Sequence, residues 1–152
     1  MLKVFYILLP VYVCVLSSTV AHATPDQCSH LFYHQRPEAY GVCKAEAEKG
    51  DPNKIKILGD MYFWGWGDAL TQDYKQAMLW YKRAAKKGHT EAKYNIGVLY
   101  EQGKGTAIDY GRALQWYKSA AEQGHATAQF NLGNMYSKGA GTAVNQGMAF
   151  YW

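Results

Sequence analysis

Apolar residues recur along this chain at intervals of three and four, with polar positions between them, as on the buried stripe of an amphipathic helix. Ala92, Ile96, Leu99 and Tyr100 fall on one such stripe and predict a helix over 90–102. Gly103-Lys104-Gly105 stops it, because glycine accepts the left-handed conformation at a helix end. Asp109 then has the character of an N-cap, its carboxylate placed to accept from amides that the helix leaves unpaired. Ala113, Leu114, Trp116, Tyr117, Ala120 and Ala121 carry a second helix as far as Gly124.

The helix pair returns. Leu58-Gly59 with Tyr62, Ile96-Gly97 with Tyr100, and Leu132-Gly133 with Tyr136 open the same pattern, and Trp80-Tyr81 and Trp116-Tyr117 fall at one position near its close. Gly97 and Gly133 are 36 residues apart, as are Trp80 and Trp116, whereas Gly59 and Gly97 are 38 apart. The extra residues lie in the turn between Gly67 and Asp73, where a stack of repeats tolerates insertion. A fixed period of this size predicts stacked units, each unable to bury its apolar face alone.

Local signals agree with that register. Asp51-Pro52 supplies an N-cap acid and a proline in the first turn, and Asp73 with Gln76 forms a capping box. His89 and His125 stand where Asp51 stands, which predicts a helix-start role in place of proton transfer. Gly59, Gly97 and Gly133 each cost about 1 kcal/mol relative to alanine inside a helix. Their recurrence predicts close approach by a neighbouring helix, opposite the large Trp80 or Trp116, with Ala77, Ala113 and Ala149 as small partners. The tryptophans Trp80 and Trp116 and the series Tyr62, Tyr100, Tyr136 are assigned to the core. Residues 37–49 align with 75–87 and read as a degenerate second helix that caps the stack.

The run from Ala92 through Ile96-Gly97, Tyr100, Gly103-x-Gly105, Asp109, Ala113, Trp116-Tyr117 and Ala120-Ala121 to Gly124 closely resembles the Sel1-like repeat, a relative of the tetratricopeptide repeat. Two full blocks and most of a third match, over roughly residues 51–152. The resemblance implies an all-α fold, a right-handed α-solenoid of antiparallel helix pairs, and a role as protein-binding scaffold or adaptor. Exported bacterial members often act in envelope assembly or host interaction. Some cysteine-rich members are associated with β-lactam binding or hydrolysis, which supplies the competing, enzymatic reading. Those members typically carry a cysteine pair in each repeat, and this chain does not.

The ends of the chain add a compartment. Residues 1–23 look like a secretory signal: Lys3, an apolar core over 4–16, and Ala21-His22-Ala23 as a cleavage site. The competing reading is an uncleaved anchor, but the apolar run is shorter than the ~20 residues that span a bilayer. The expected organisation is a signal peptide over 1–23, an N-terminal segment and capping helix over 24–50, and repeats over 51–88, 89–124 and 125–152, the last incomplete. The final helix stops on Phe150-Tyr151-Trp152, as in a fragment of a longer protein or an end that finds a partner. Cys28 and Cys43 remain after the leader, and a disulfide between them is expected in a secreted or periplasmic bacterial protein.

Composition narrows the chemistry. The net charge of +4 becomes +3 without Lys3, and the lysines are scattered, which argues against nucleic acid. Lys82, Arg83, Lys86 and Lys87 suit a solvated helix end and its dipole. His30 and His34 lie one helical turn apart, but no third ligand stands at a persuasive distance, so no metal is assigned. Ser119 is followed by Glu122 where a penicillin-recognising serine enzyme would have lysine, and no zinc helix or phosphate loop occurs. No catalytic residue and no cofactor are assigned.

Recognition residues are sharper. Trp66 lies between Gly65 and Gly67, where later blocks have Lys104 and Ala140, either as an exposed anchor or folded over the enlarged loop with Leu70. Trp64 is its companion. Lys93, Asn95, Gln129 and Asn131 could project from the first helices onto a concave face. The partner expected is a protein of unknown identity, with no membrane span once the signal is removed.

Overall fold

The computed structural model describes residues 27–152, so the signal predicted over 1–23 lies outside the described residues. The described residues form α1 (Gln27–Tyr33), α2 (Ala39–Glu48), α3 (Pro52–Trp64), α4 (Tyr74–Lys86), α5 (Thr90–Gln102), α6 (Tyr110–Ala121), α7 (Ala126–Lys138) and α8 (Gln146–Tyr151). Successive helices pack on one another, most extensively α3 on α4 and α5 on α6. The result is a right-handed α-solenoid of antiparallel pairs.

Each repeat helix starts on a side chain that accepts a backbone N–H. Asp51, Asp73, Asp109 and Asn145 do so through side-chain oxygens, and His89 and His125 through Nδ1, which receives Ala92 N and Ala128 N at 3.2 Å. The two histidines therefore cap helices through a neutral imidazole with its proton on Nε2. The first helices stop as their glycines require: Gly103 has φ 66° and donates its N–H to the Leu99 carbonyl.

The core is a single row running the length of the stack, with Leu58, Met61, Ile96, Leu99, Leu132 and Ala77, Ala84, Ala113 and Ala120 of the second helices fully buried. The repeated glycines do admit a neighbouring helix, Gly133 facing Ala149 and Trp152, but the partners of Gly59 and Gly97 are not Trp80 and Trp116. A Cβ on Gly59 would lie 2.6 Å from the Tyr81 ring, and one on Gly97 would lie 2.6 Å from the Tyr117 ring. The residue after each tryptophan, turned about 100° around the helix axis, is the one aimed at the first helix. Trp116 is correspondingly only half-buried, as are Tyr62 and Tyr136.

The N-terminal cap contains a helix that sequence periodicity did not reveal. The short α1 is held by a disulfide from Cys28 to Cys43 of α2, both fully buried. Closing the 15-residue loop contributes up to about 3 kcal/mol by the chain-entropy estimate. Lys54, buried on α3, donates from Nζ to Ser29 Oγ at 2.6 Å and ties α1 to the first repeat.

Candidate functional site

The enlarged turn after α3 bends back on α1. Trp66 N–H donates to the Leu70 carbonyl at 2.7 Å, which closes the turn. The Trp66 ring stacks on Phe32 of α1 with centroids 5.1 Å apart, and its Nε1 donates to the Arg36 carbonyl at 3.2 Å. Trp66 thus clasps the turn to the cap, half-buried. Trp64, one residue before the helix stop, is 73% exposed.

Between α1 and this turn lies a groove of about 910 Å³, lined by Phe32, Tyr33, Trp64 and Trp66 with Asp60 and Asp68. Tyr33 is 76% exposed, so both walls of the groove offer open aromatic surface. A second groove of about 380 Å³ continues between α3 and α5 and shares Trp64 and Asp60 with the first. Trp64 stands where the two meet.

The floor at that junction is an ionic cluster. Lys56 Nζ contacts Asp60 Oδ2 at 2.9 Å and Glu91 Oε1 at 2.7 Å, and the Tyr81 hydroxyl donates to Asp60 Oδ1 at 2.8 Å. One ammonium shared by two carboxylates leaves the cluster with a net negative charge. Burial pushes the Asp60 carboxyl above its usual range, against the pull of Lys56. For Lys56 burial acts downward, but Asp60 and Glu91 outweigh it and hold the ammonium above its ordinary value. Burial, then the Asp60 charge, raises Tyr81. The cluster fixes α3, α4 and α5 rigidly beneath Trp64.

The polar residues expected on the first helices are partly engaged. Asn95 reaches Tyr81, and Asn131 reaches Tyr117 and Tyr94, so each asparagine meets a tyrosine of the preceding second helix. Gln129 Nε2 donates to the Ala121 carbonyl at 3.2 Å. Lys93 is half-buried on α5. None of the four lines either groove with Trp64 except Asn95, which borders the second. The His30 and His34 rings lie tilted to one another with centroids 4.5 Å apart, and no group of three metal-ligating side chains occurs among the described residues. Sequence reasoning missed Phe32, Tyr33, Lys56, Asp60 and Glu91. The available signal was Lys56 and Asp60 at i, i+4 among the apolar residues of α3.

A Sel1 repeat family model matches residues 57–89, 90–125 and 126–152. The chain belongs to the Sel1 repeat family. Two solved Sel1 structures superpose on it. A Sel1 repeat protein from Oxalobacter formigenes has a TM-score of 0.77 at 28% identity, over 82% of this chain and 51% of that one. The protective antigen c5321 of uropathogenic Escherichia coli, described as having an SLR fold, has a TM-score of 0.76 at 32% identity, over 84% of this chain and 29% of that one. A curated relative, the ERAD-associated E3 ubiquitin-protein ligase component HRD3A of Arabidopsis thaliana, is 30% identical over 78 residues, which is 51% of this chain and 11% of HRD3A. This chain therefore spans about half or less of each relative. Among the described residues no helix is long and apolar enough to cross a membrane.

Proposed function

We propose that this Sel1 repeat protein is an exported scaffold that holds a protein partner on the face of its first helices, with Trp64 as the leading contact. The observation that carries the reading is a tryptophan 73% exposed at the meeting point of two grooves, on a support braced by the largely buried Lys56–Asp60 ion pair. Tryptophan is enriched among residues that dominate binding energy, and an open ring over a preorganised floor costs little to bury. Trp66 supports the site from behind by clasping the turn to α1. Lys93, Asn95, Gln129 and Asn131 would extend the contact along α5 and α7. The family supports the scaffold role: the relative HRD3A is by name a component of a larger ligase. The buried disulfide, together with the apolar leader, supports export to an oxidising compartment. In this reading residues 24–50 cap the array, and 51–88, 89–124 and 125–152 are its repeats.

The test is site-specific photo-cross-linking in the source envelope, with a benzophenone amino acid at Trp64 and, as a control, at Leu79, which is 52% exposed on α4. A discrete adduct from position 64 and none from position 79 is the expected result. Equal cross-linking from both positions, or none from position 64, defeats the reading.

A further inference from the structure

Several rings of this protein, most of them buried, pack against its own cations. Arg83 lies over Trp80 at 4.5 Å from the ring centroid, and Arg112 lies over Tyr100 at 5.5 Å. Lys104, which occupies the repeat position of Trp66, lies 4.8 Å from Phe63 and 5.1 Å from Tyr74. Among the described residues the four rings of the α1 groove carry no such cation. The charged side chains that line it, Asp60 and Asp68, are both acidic. Asp60 is committed to Lys56 and Tyr81, whereas Asp68 is exposed on the turn beside Trp66. The C-terminal end of α3, at Trp64 and Gly65, also borders the groove and brings the negative end of a 13-residue helix dipole.

Ring faces, carboxylates and a helix C-terminus all favour positive charge, whatever the sign of the whole molecule. Resting on the scaffold reading, we propose that the α1 groove receives a cationic side chain of the partner polypeptide, arginine in first place. A guanidinium can stack flat on Trp64 or Tyr33 while it donates to the Asp68 carboxylate, a combination that an ammonium matches less well. The groove's 910 Å³ accommodates the side chain with its flanking backbone.

The experiment follows the tryptophan indole N–H resonances, with Trp64 assigned by substitution, as the protein is titrated at low salt. The probes are the blocked tripeptide Ala-Arg-Ala, its neutral citrulline isostere, and its lysine and glutamate counterparts. The Trp64 signal should move with the arginine peptide, less with lysine, and not with citrulline or glutamate. Asp68→Asn should weaken the arginine response about three- to tenfold, and Trp64→Ala should abolish binding while helicity stays unchanged. Equal response to citrulline marks an apolar segment as the occupant and overturns the proposal, as does a Trp64 signal unmoved by any peptide. Movement with protein concentration alone marks a second copy of this chain and overturns it too. The photo-cross-link depends on no charge: an adduct at position 64 without arginine preference leaves the scaffold standing. Arginine preference without an adduct keeps the groove's chemistry and removes the scaffold.

Discussion

Alanine at Gly97 and alanine at Gly41 are the same chemical change in the same secondary structure, yet they should move stability in opposite directions. Gly41 is an exposed residue of α2 and has nothing within 4 Å of an added methyl, so substitution only removes glycine's backbone freedom. That should stabilise the fold by about 0.5–1 kcal/mol. At Gly97 the methyl would lie 2.6 Å from Cε1 and 2.7 Å from Cδ1 of Tyr117. That ring cannot swing aside: it is fully buried, its hydroxyl donates to Glu101 Oε2 at 2.6 Å, and Tyr94 packs 5.7 Å away. Overpacking of this kind costs about 1–3 kcal/mol, and the gain in helix propensity returns at most about 1. The net expectation for Gly97→Ala is a loss of about 1–2 kcal/mol, or roughly 3–6 °C in Tm for a domain of this size. Urea and thermal melts followed by circular dichroism give both numbers. Because the penalty is a clash with one ring, it should shrink in a Tyr117→Ala background, as a non-additive double-mutant cycle. If Gly97→Ala is as stable as Gly41→Ala, glycine is not there to admit the tyrosine, and the account of helix nesting fails.

Further outcomes follow from the contacts described above. Trp66→Ala should lower stability by about 1–2 kcal/mol, from the lost stack on Phe32 and the lost bond to Arg36, while Trp64→Ala should leave the melt within about 0.5 kcal/mol. Equal melts for the two would show that Trp66 does not clasp the cap. Burial raises the Tyr117 phenol above its ordinary value of 10.0, so the unfolded chain loses its proton first as pH rises. Stability should therefore fall above pH 10.0, and Tyr117→Phe should flatten that slope by about 1.4 kcal/mol per pH unit in a denaturant series. Burial also lowers His89 below 6.5, so on acidification the unfolded chain binds the proton first and stability is lost below that pH. His89→Asn keeps a capping acceptor that does not titrate, and it should remove up to about 1.4 kcal/mol per unit of the acid slope below neutrality. An unchanged slope in His89→Asn would mean that the imidazole does not cap as a neutral acceptor.

The repeat, its helices and their caps were legible in the sequence because each depends on residues close together in the chain. Thr90 to Gln102 was bounded by a capping residue and by Gly103, and the family resemblance lay in the spacing of Gly97, Ala113, Trp116 and Gly124. The glycines also announced a close approach, since nothing local justifies their cost. What approaches was decided by tertiary structure: rotation about the second helix turns Tyr81 and Tyr117, not Trp80 and Trp116, toward the first. The same holds for the groove. Phe32 and Trp66 are 34 residues apart and meet where the disulfide holds α1 on α2 and Lys54 ties it to α3. Glu91 reaches Lys56 and Asp60 of α3 from the next repeat, a contact that only the stacking of repeats makes. A periodic sequence specifies which units form and that they stack, but the direction each side chain faces follows from the twist between units, which no single unit encodes.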